Sequence, residues 1–130
     1  MKGAFRELLL AKLHGATVTE ANVKYEGSIT IPRNLLDLTG LLPHEAVHVW
    51  NITQGTRFQT YIIDGLVDNK EIHVNGAAAH LVNPGDSVII AGFIHIPAEI
   101  AHLHEPKVVF LNPDNSVKAV RGERPKTIAA

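Results

Sequence analysis

The sequence contains no cysteine. Disulfides, thiolate metal sites and cysteine nucleophiles are therefore excluded, and packing alone must hold the fold. A dominant charge is missing as well: twelve Lys and Arg against thirteen Asp and Glu leave a formal net charge of −1. So small an imbalance provides no field to gather phosphates or coat an anionic surface, and neither nucleic acid nor membrane is an expected partner. Long hydrophobic runs are absent too. The longest, residues 87–97, is too short to span a bilayer and contains Gly92 and His95. At the start, Arg6, Glu7 and Lys12 interrupt the uncharged stretch that a secretory signal needs. A cytoplasmic protein is the expectation.

What is present is 130 residues, 45% hydrophobic and 19% charged. That is enough apolar surface to offset chain entropy, and the length suits one domain over residues 1–130. No internal repeat or linker divides it. Residues 5–13, 17–19 and 23–25 mix β-branched and aromatic side chains and are expected as strands. Residues 29–31 alternate as a further strand, and Pro32 suits the first position of a helix over 34–39, with Gly40 as its C-terminal cap. A hairpin is expected from 47–53 and 57–63 about Gln54-Gly55, with apolar groups on both faces pointing to a closed or sandwiched sheet. A short strand at 72–74, a helical turn at 77–81 and a strand at 87–94 launched by Pro84-Gly85-Asp86 follow. Past Asn112 the chain turns polar, and residues 113–130 are expected to be a loose tail. The fold class is mainly β with short helices.

Five groups of residues could carry chemistry. His44-Glu45-Ala46-Val47-His48 has the spacing of a zinc-hydrolase helix, but Gly40 and Pro43 close the upstream side and the downstream residues favour a strand. In a strand the two imidazoles would stand about 13 Å apart, too far to share a metal. His102, His104 and Glu105, with His95, offer metal-ligating types without defined geometry. No metal is expected at either place. Asn75-Gly76-Ala77-Ala78-Ala79 presents small residues whose backbone N–H groups could approach an anion, and could equally be a plain turn into a helical turn. Arg57 and Tyr61 lie four apart on one strand face, with Thr60 on the other. Glu26-Gly27-Ser28 fits no standard nucleophile motif and reads as a turn. Its one chemical possibility is that glycine adopts a strained backbone in which the following hydroxyl attacks the glycine carbonyl.

In chain order, Lys12-Leu13-His14, Tyr25-Glu26-Gly27-Ser28, Trp50-Asn51, Gly55-Thr56-Arg57-Phe58-Gln59-Thr60-Tyr61, Val74-Asn75-Gly76-Ala77-Ala78-Ala79-His80 and Gly85-Asp86-Ser87-Val88-Ile89-Ile90 resemble the pyruvoyl-dependent aspartate decarboxylases. The resemblance implies a double-psi β-barrel, assembled as a homotetramer with active sites between subunits. It implies L-aspartate as substrate, β-alanine and carbon dioxide as products, and pantothenate biosynthesis as the setting. It also implies that the Gly27-Ser28 bond cleaves itself into chains 1–27 and 28–130 and leaves a pyruvoyl cofactor made from Ser28. Tyr61 would then return a proton to the carbanion, because a phenol keeps its proton at neutral pH. Lys12 and Arg57 would match the two carboxylates of the substrate. Arg57 is expected on the retained one, since gripping the departing carboxylate would stabilise the ground state more than the transition state. Thr60, Gly76, Ala77 and Ala78 would contact substrate, with Tyr25, Trp50 and Asn75 shaping the pocket. A helper protein for maturation is compatible with the resemblance. Two rivals are a non-catalytic barrel that binds other proteins, with its Gly27-Ser28 bond intact, and a histidine-based metal hydrolase.

Overall fold

A computed structural model describes residues 2–122. Its first strand, β1 (Phe5–Thr17), is one long element where two shorter ones were expected. The pairing shifts register between Leu9 and Ala11 and again between His14 and Ala16, and these bulges bend the strand without ending it. After it come β2 (Glu20–Asn22) and β3 (Ser28–Ile31). Val23 and Tyr25, expected in a strand, lie instead in a turn, 49% and 62% exposed. Nothing on residues 23–27 joins a ladder, so β-propensity there has no partner strand to act through.

Helix α1 (Arg33–Thr39) opens directly after Pro32, which sits at the cap one position earlier than expected. Gly40, at φ 76°, closes the helix by donating its N–H to the Leu36 carbonyl. Leu35 and Leu36 bury the inner side. Beside the helix, Arg33 bonds Asp64, and this guanidinium holds the Asp64 carboxyl below its ordinary pKa.

Strands β4 (Ala46–Asn51) and β5 (Arg57–Asp64) form the expected hairpin, with Trp50 opposite Arg57. Then follow β6 (His73–Asn75), a 3-10 helix (Gly76–Leu81), β7 (Ser87–Pro97), a short 3-10 turn (Ala101–Leu103), β8 (Lys107–Leu111) and β9 (Val117–Gly122). Two outcomes correct the sequence reading. Strand β5 is not covered on both faces: Arg57, Gln59, Tyr61 and Ile63 are exposed while Ile62 is fully buried. The chain past Asn112 is not loose up to Gly122, because β9 pairs antiparallel with β8. The rest of the expected tail, 123–130, lies outside the described residues.

The nine strands form one sheet in the order β2-β6-β3-β5-β4-β7-β1-β8-β9. Parallel pairs (β1 with β8, β2 with β6, β3 with β5) are interspersed among five antiparallel ones, and this mixed order fits a double-psi β-barrel. The inner side is a continuous apolar core that includes Leu13, Ile29, Ile62, Val74 and Ile90. Among the described residues no helix is long and apolar enough to cross a membrane.

Candidate active site

The chemistry suggested for residues 27 and 28 falls at a boundary between turn and strand. Gly27 is exposed, whereas Ser28, the first residue of β3, is 1% exposed. Ile29 and Ile62 pair in register and both face the core. By strand alternation, Ser28 and the residue before Ile62, Tyr61, turn to the opposite face. On the other side of β3, Asn75 of β6 is the register partner of Ser28. Its amide Nδ2 donates to Ser28 Oγ at 3.1 Å and to Thr30 Oγ1 at 3.3 Å. Ser28 Oγ in turn donates to the Glu26 carbonyl at 3.4 Å. Neither partner is a base at neutral pH, so the fold supplies orientation to this hydroxyl and no proton acceptor of the histidine kind.

Gly27 does not adopt positive φ, whereas Gly76, directly after Asn75, does at 73°. A Cβ on Gly76 would stand 2.5 Å from Gly27 Cα and 2.5 Å from Gly27 N. The backbone of 76 is thus pressed against the residue that precedes Ser28. From Gly76 the 3-10 helix runs with Ala77 exposed and Ala78 half-buried, and it packs against β2, β5 and β6.

The far end of that helix is tied to the hairpin loop by a buried carboxylate. Asp86 Oδ2 accepts from Asn51 Nδ2 at 2.8 Å, Gln54 Nε2 at 2.6 Å and the Asn83 N–H at 2.8 Å. Burial pushes the Asp86 pKa up, but these donors outweigh it and leave the carboxyl below its ordinary value. The Leu81 carbonyl accepts from Thr56 Oγ1 at 2.7 Å, next to Arg57. Two of the blocks that carried the family resemblance, Trp50-Asn51 and Gly85-Asp86, are therefore one contact network in the fold.

Tyr25, Ser28, Tyr61, Asn75 and Gly76 are brought to one end of the sheet. Thr60 pairs with Val47 and faces the side of Ile62, opposite to Tyr61. Arg57 lies four residues from Tyr61, about 13 Å along an extended strand. Trp50, opposite Arg57, packs edge-on against Phe93 with ring centroids 6.4 Å apart, and His48 joins them at 5.2 Å from Phe93. Lys12 lies far from Ser28 in the strand order. It sits on β1, paired with Ala91 and Val108, and β1 is four strands from β3. At ~4.8 Å per strand this is roughly 19 Å along the sheet.

The sequence reading gave no role to His14, which follows Lys12 by two positions and pairs with Phe110, ring centroids 5.4 Å apart. Arg121 lies over the other ring of this stack, 4.5 Å from the Phe110 centroid. The i, i+2 spacing from Lys12 was the available signal.

The histidine clusters do not converge. His44 occupies a turn at φ 71° and His48 lies on β4 between Gln59 and Ala91. His104 Nε2 meets the Leu9 carbonyl at 2.7 Å, while His95 lies 3.6 Å from Glu7. Among the described residues no three metal-ligating side chains come together.

Fold and contacts together define a class: a double-psi β-barrel protein with a buried serine opening a strand, held by an asparagine and preceded by an exposed glycine. The sequence profile of the family described as aspartate decarboxylase matches residues 4–118, and the chain belongs to that family. It is 55% identical over 121 residues to a protein named aspartate 1-decarboxylase from Legionella pneumophila (strain Paris), which covers 93% of this chain and 91% of the relative. Relatives of the same name are similar at 54% over 111 residues in Phenylobacterium zucineum (85% of this chain, 94% of the relative) and 46% over 119 residues in Rhodopirellula baltica (92% and 76%).

Proposed function

We propose that this protein is an aspartate 1-decarboxylase, a carboxy-lyase that releases the α-carboxyl of L-aspartate as carbon dioxide and yields β-alanine for pantothenate biosynthesis. Family membership over 4–118 supports the activity. The observation that carries the mechanism is the position of Ser28, buried at the first residue of a strand directly after an exposed turn. Gly27 joins no ladder, and the pairs from Ile29 onward do not involve the broken bond, so the sheet can survive it.

The maturation chemistry balances as follows. Ser28 Oγ bonds to the Gly27 carbonyl carbon, the C–N bond breaks, and the hydroxyl proton passes to the Ser28 nitrogen, giving an ester. Loss of the Ser28 Cα proton expels Gly27 as a carboxylate and leaves a dehydroalanine. Water then displaces ammonia, and a ketone stands at position 28. Asn75, bonded to the hydroxyl, fits this sequence by holding the nucleophile in place. A pyruvoyl group at position 28 would supply the carbonyl that receives the substrate amine and the electron sink for loss of carbon dioxide.

The chain's other residues act around that group. Tyr61, beside Ser28 on β5, returns a proton to the carbon that lost carbon dioxide. Arg57 and Lys12 hold the two carboxylates, Arg57 taking the retained one, and Gly76, Ala77, Ala78 and Thr60 complete the pocket with Tyr25 and Trp50. The site joins residues of two copies in a homotetramer with shared active sites; the exposed face of β5, which carries Arg57 and Tyr61, supports this as a surface a second copy can cover. The compartment is the cytoplasm.

Intact-mass analysis tests the reading. Purified protein should appear as fragments 1–27 and 28–130, and borohydride with aspartate should trap substrate on the larger. Ser28→Ala should remain one chain without activity. Decarboxylation by that variant would sink the cofactor assignment.

A further inference from the structure

We infer that Gly76 is a positioning residue for the cleavage itself: its bare Cα is the surface on which Gly27 is set for attack by Ser28. This rests on the reading of Ser28 as the source of the ketone. A Cβ at 76 would meet Gly27 Cα and Gly27 N at 2.5 Å and the Tyr25 carbonyl oxygen at 3.0 Å. All three are backbone atoms, which cannot swing aside as the tip of a side chain can. The reverse substitution is undemanding, since a Cβ on Gly27 would meet only the Asn75 carbonyl oxygen, at 3.9 Å. The steric requirement at this junction therefore lies in residue 76.

Consecutive residues then fix both reacting partners. Asn75 bonds the attacking oxygen, and Gly76 sets the residue that carries the attacked carbon. The step they serve forms the Oγ–C bond, breaks the C–N bond and moves one proton from oxygen to nitrogen. With no side-chain base among the described residues bonded to the hydroxyl, alignment is what the fold contributes, and misplacing the reacting atoms by an ångström can cost about 100-fold.

The test compares Gly76→Ala, Gly76→Asn and Gly40→Ala as freshly made precursors, following fragment 28–130 by intact mass and folding by thermal melt. Gly40 has φ 76° against 73° for Gly76, yet a Cβ there meets nothing within 4 Å. It reproduces the backbone strain without the contact. Asn tolerates positive φ better than Ala, so Gly76→Asn keeps the contact in a better-folded chain. Both substitutions at 76 should slow cleavage by about 100-fold or more, while Gly40→Ala, which carries the strain alone, should stay within about threefold of wild type. Because the readout is precursor mass, it is blind to any role of Gly76 toward substrate. A folded Gly76→Asn that cleaves as fast as Gly40→Ala overturns this inference alone. A wild-type chain that is never cut overturns the reading of Ser28 and this inference with it.

Discussion

Ser28 shows how far one residue's chemistry depends on its neighbours. Its hydroxyl is buried and held by Asn75 and the Glu26 carbonyl, so nothing in its immediate partners makes it a stronger nucleophile. Asn75→Ala should therefore slow cleavage and lower stability by about 1–3 kcal/mol, read by precursor mass and urea unfolding. Tyr61→Phe should be cut normally and turn over about 100-fold or more slowly, since it removes only the proton donor. Wild-type turnover would dismiss Tyr61 from that role. Asp86 is a different kind of residue, a scaffold carboxylate. Asp86→Ala should cost roughly 2–4 kcal/mol at neutral pH because three donors lose a charged acceptor. Its folded pKa is depressed, so the stability it adds is fully present above the unfolded carboxylate range and is lost as pH falls through the folded value. The gap between wild type and Asp86→Ala in urea midpoints should accordingly narrow in acid. Of these residues, the sequence raised Ser28 and Tyr61 as chemical possibilities from their local pattern, and only the family resemblance gave them roles. A serine without a base partner carries no spacing signal, and a glycine whose importance is a contact 49 positions away in the chain shows none either.

Among the elements, strong periodicity and turn chemistry were readable, as α1 with its Gly40 cap and the β4–β5 hairpin attest. Strands β8 and β9 were not. Val117, Lys118, Ala119, Val120 and Arg121 are all exposed on an edge strand, so no buried face imposes alternation on the sequence. The turn joining them owes its shape to Asn115, 3% exposed at φ 66°. Asn115 Oδ1 accepts the Thr17 N–H at 2.7 Å, and its Nδ2 donates to the carbonyls of Thr17 at 2.9 Å and Lys70 at 2.8 Å. One amide thus clasps the end of β1, the 65–72 loop and the last hairpin. Asn115→Ala should cost about 1–3 kcal/mol in chemical unfolding, through stranded backbone groups as well as the strained φ.

At the scale of the whole molecule, the open face of β5, which carries Arg57 and Tyr61, fits the proposed site completed by a second copy. Covered faces were expected from the apolar residues on both sides of this hairpin, and β5 leaves one of them bare, since such patterning carries no sign of what covers a face. Complementation follows. Lys12→Ala and Ser28→Ala should each be inactive, yet co-expressed together they should regain up to about a quarter of wild-type activity, the share of sites drawing an intact residue from each. No recovery at any mixing ratio would place both residues of a site in the same chain. The position of β1 carries a last consequence. It is an interior strand, flanked by β7 and β8, and it belongs entirely to the 1–27 piece. In the proposed cleaved form, a barrel that folds as one molecule persists as an association of two, so denatured cleaved protein must reassemble by collision. Its recovery should slow on dilution and fail when the small fragment is dialysed away, while the uncut Ser28→Ala chain still closes its barrel unaided.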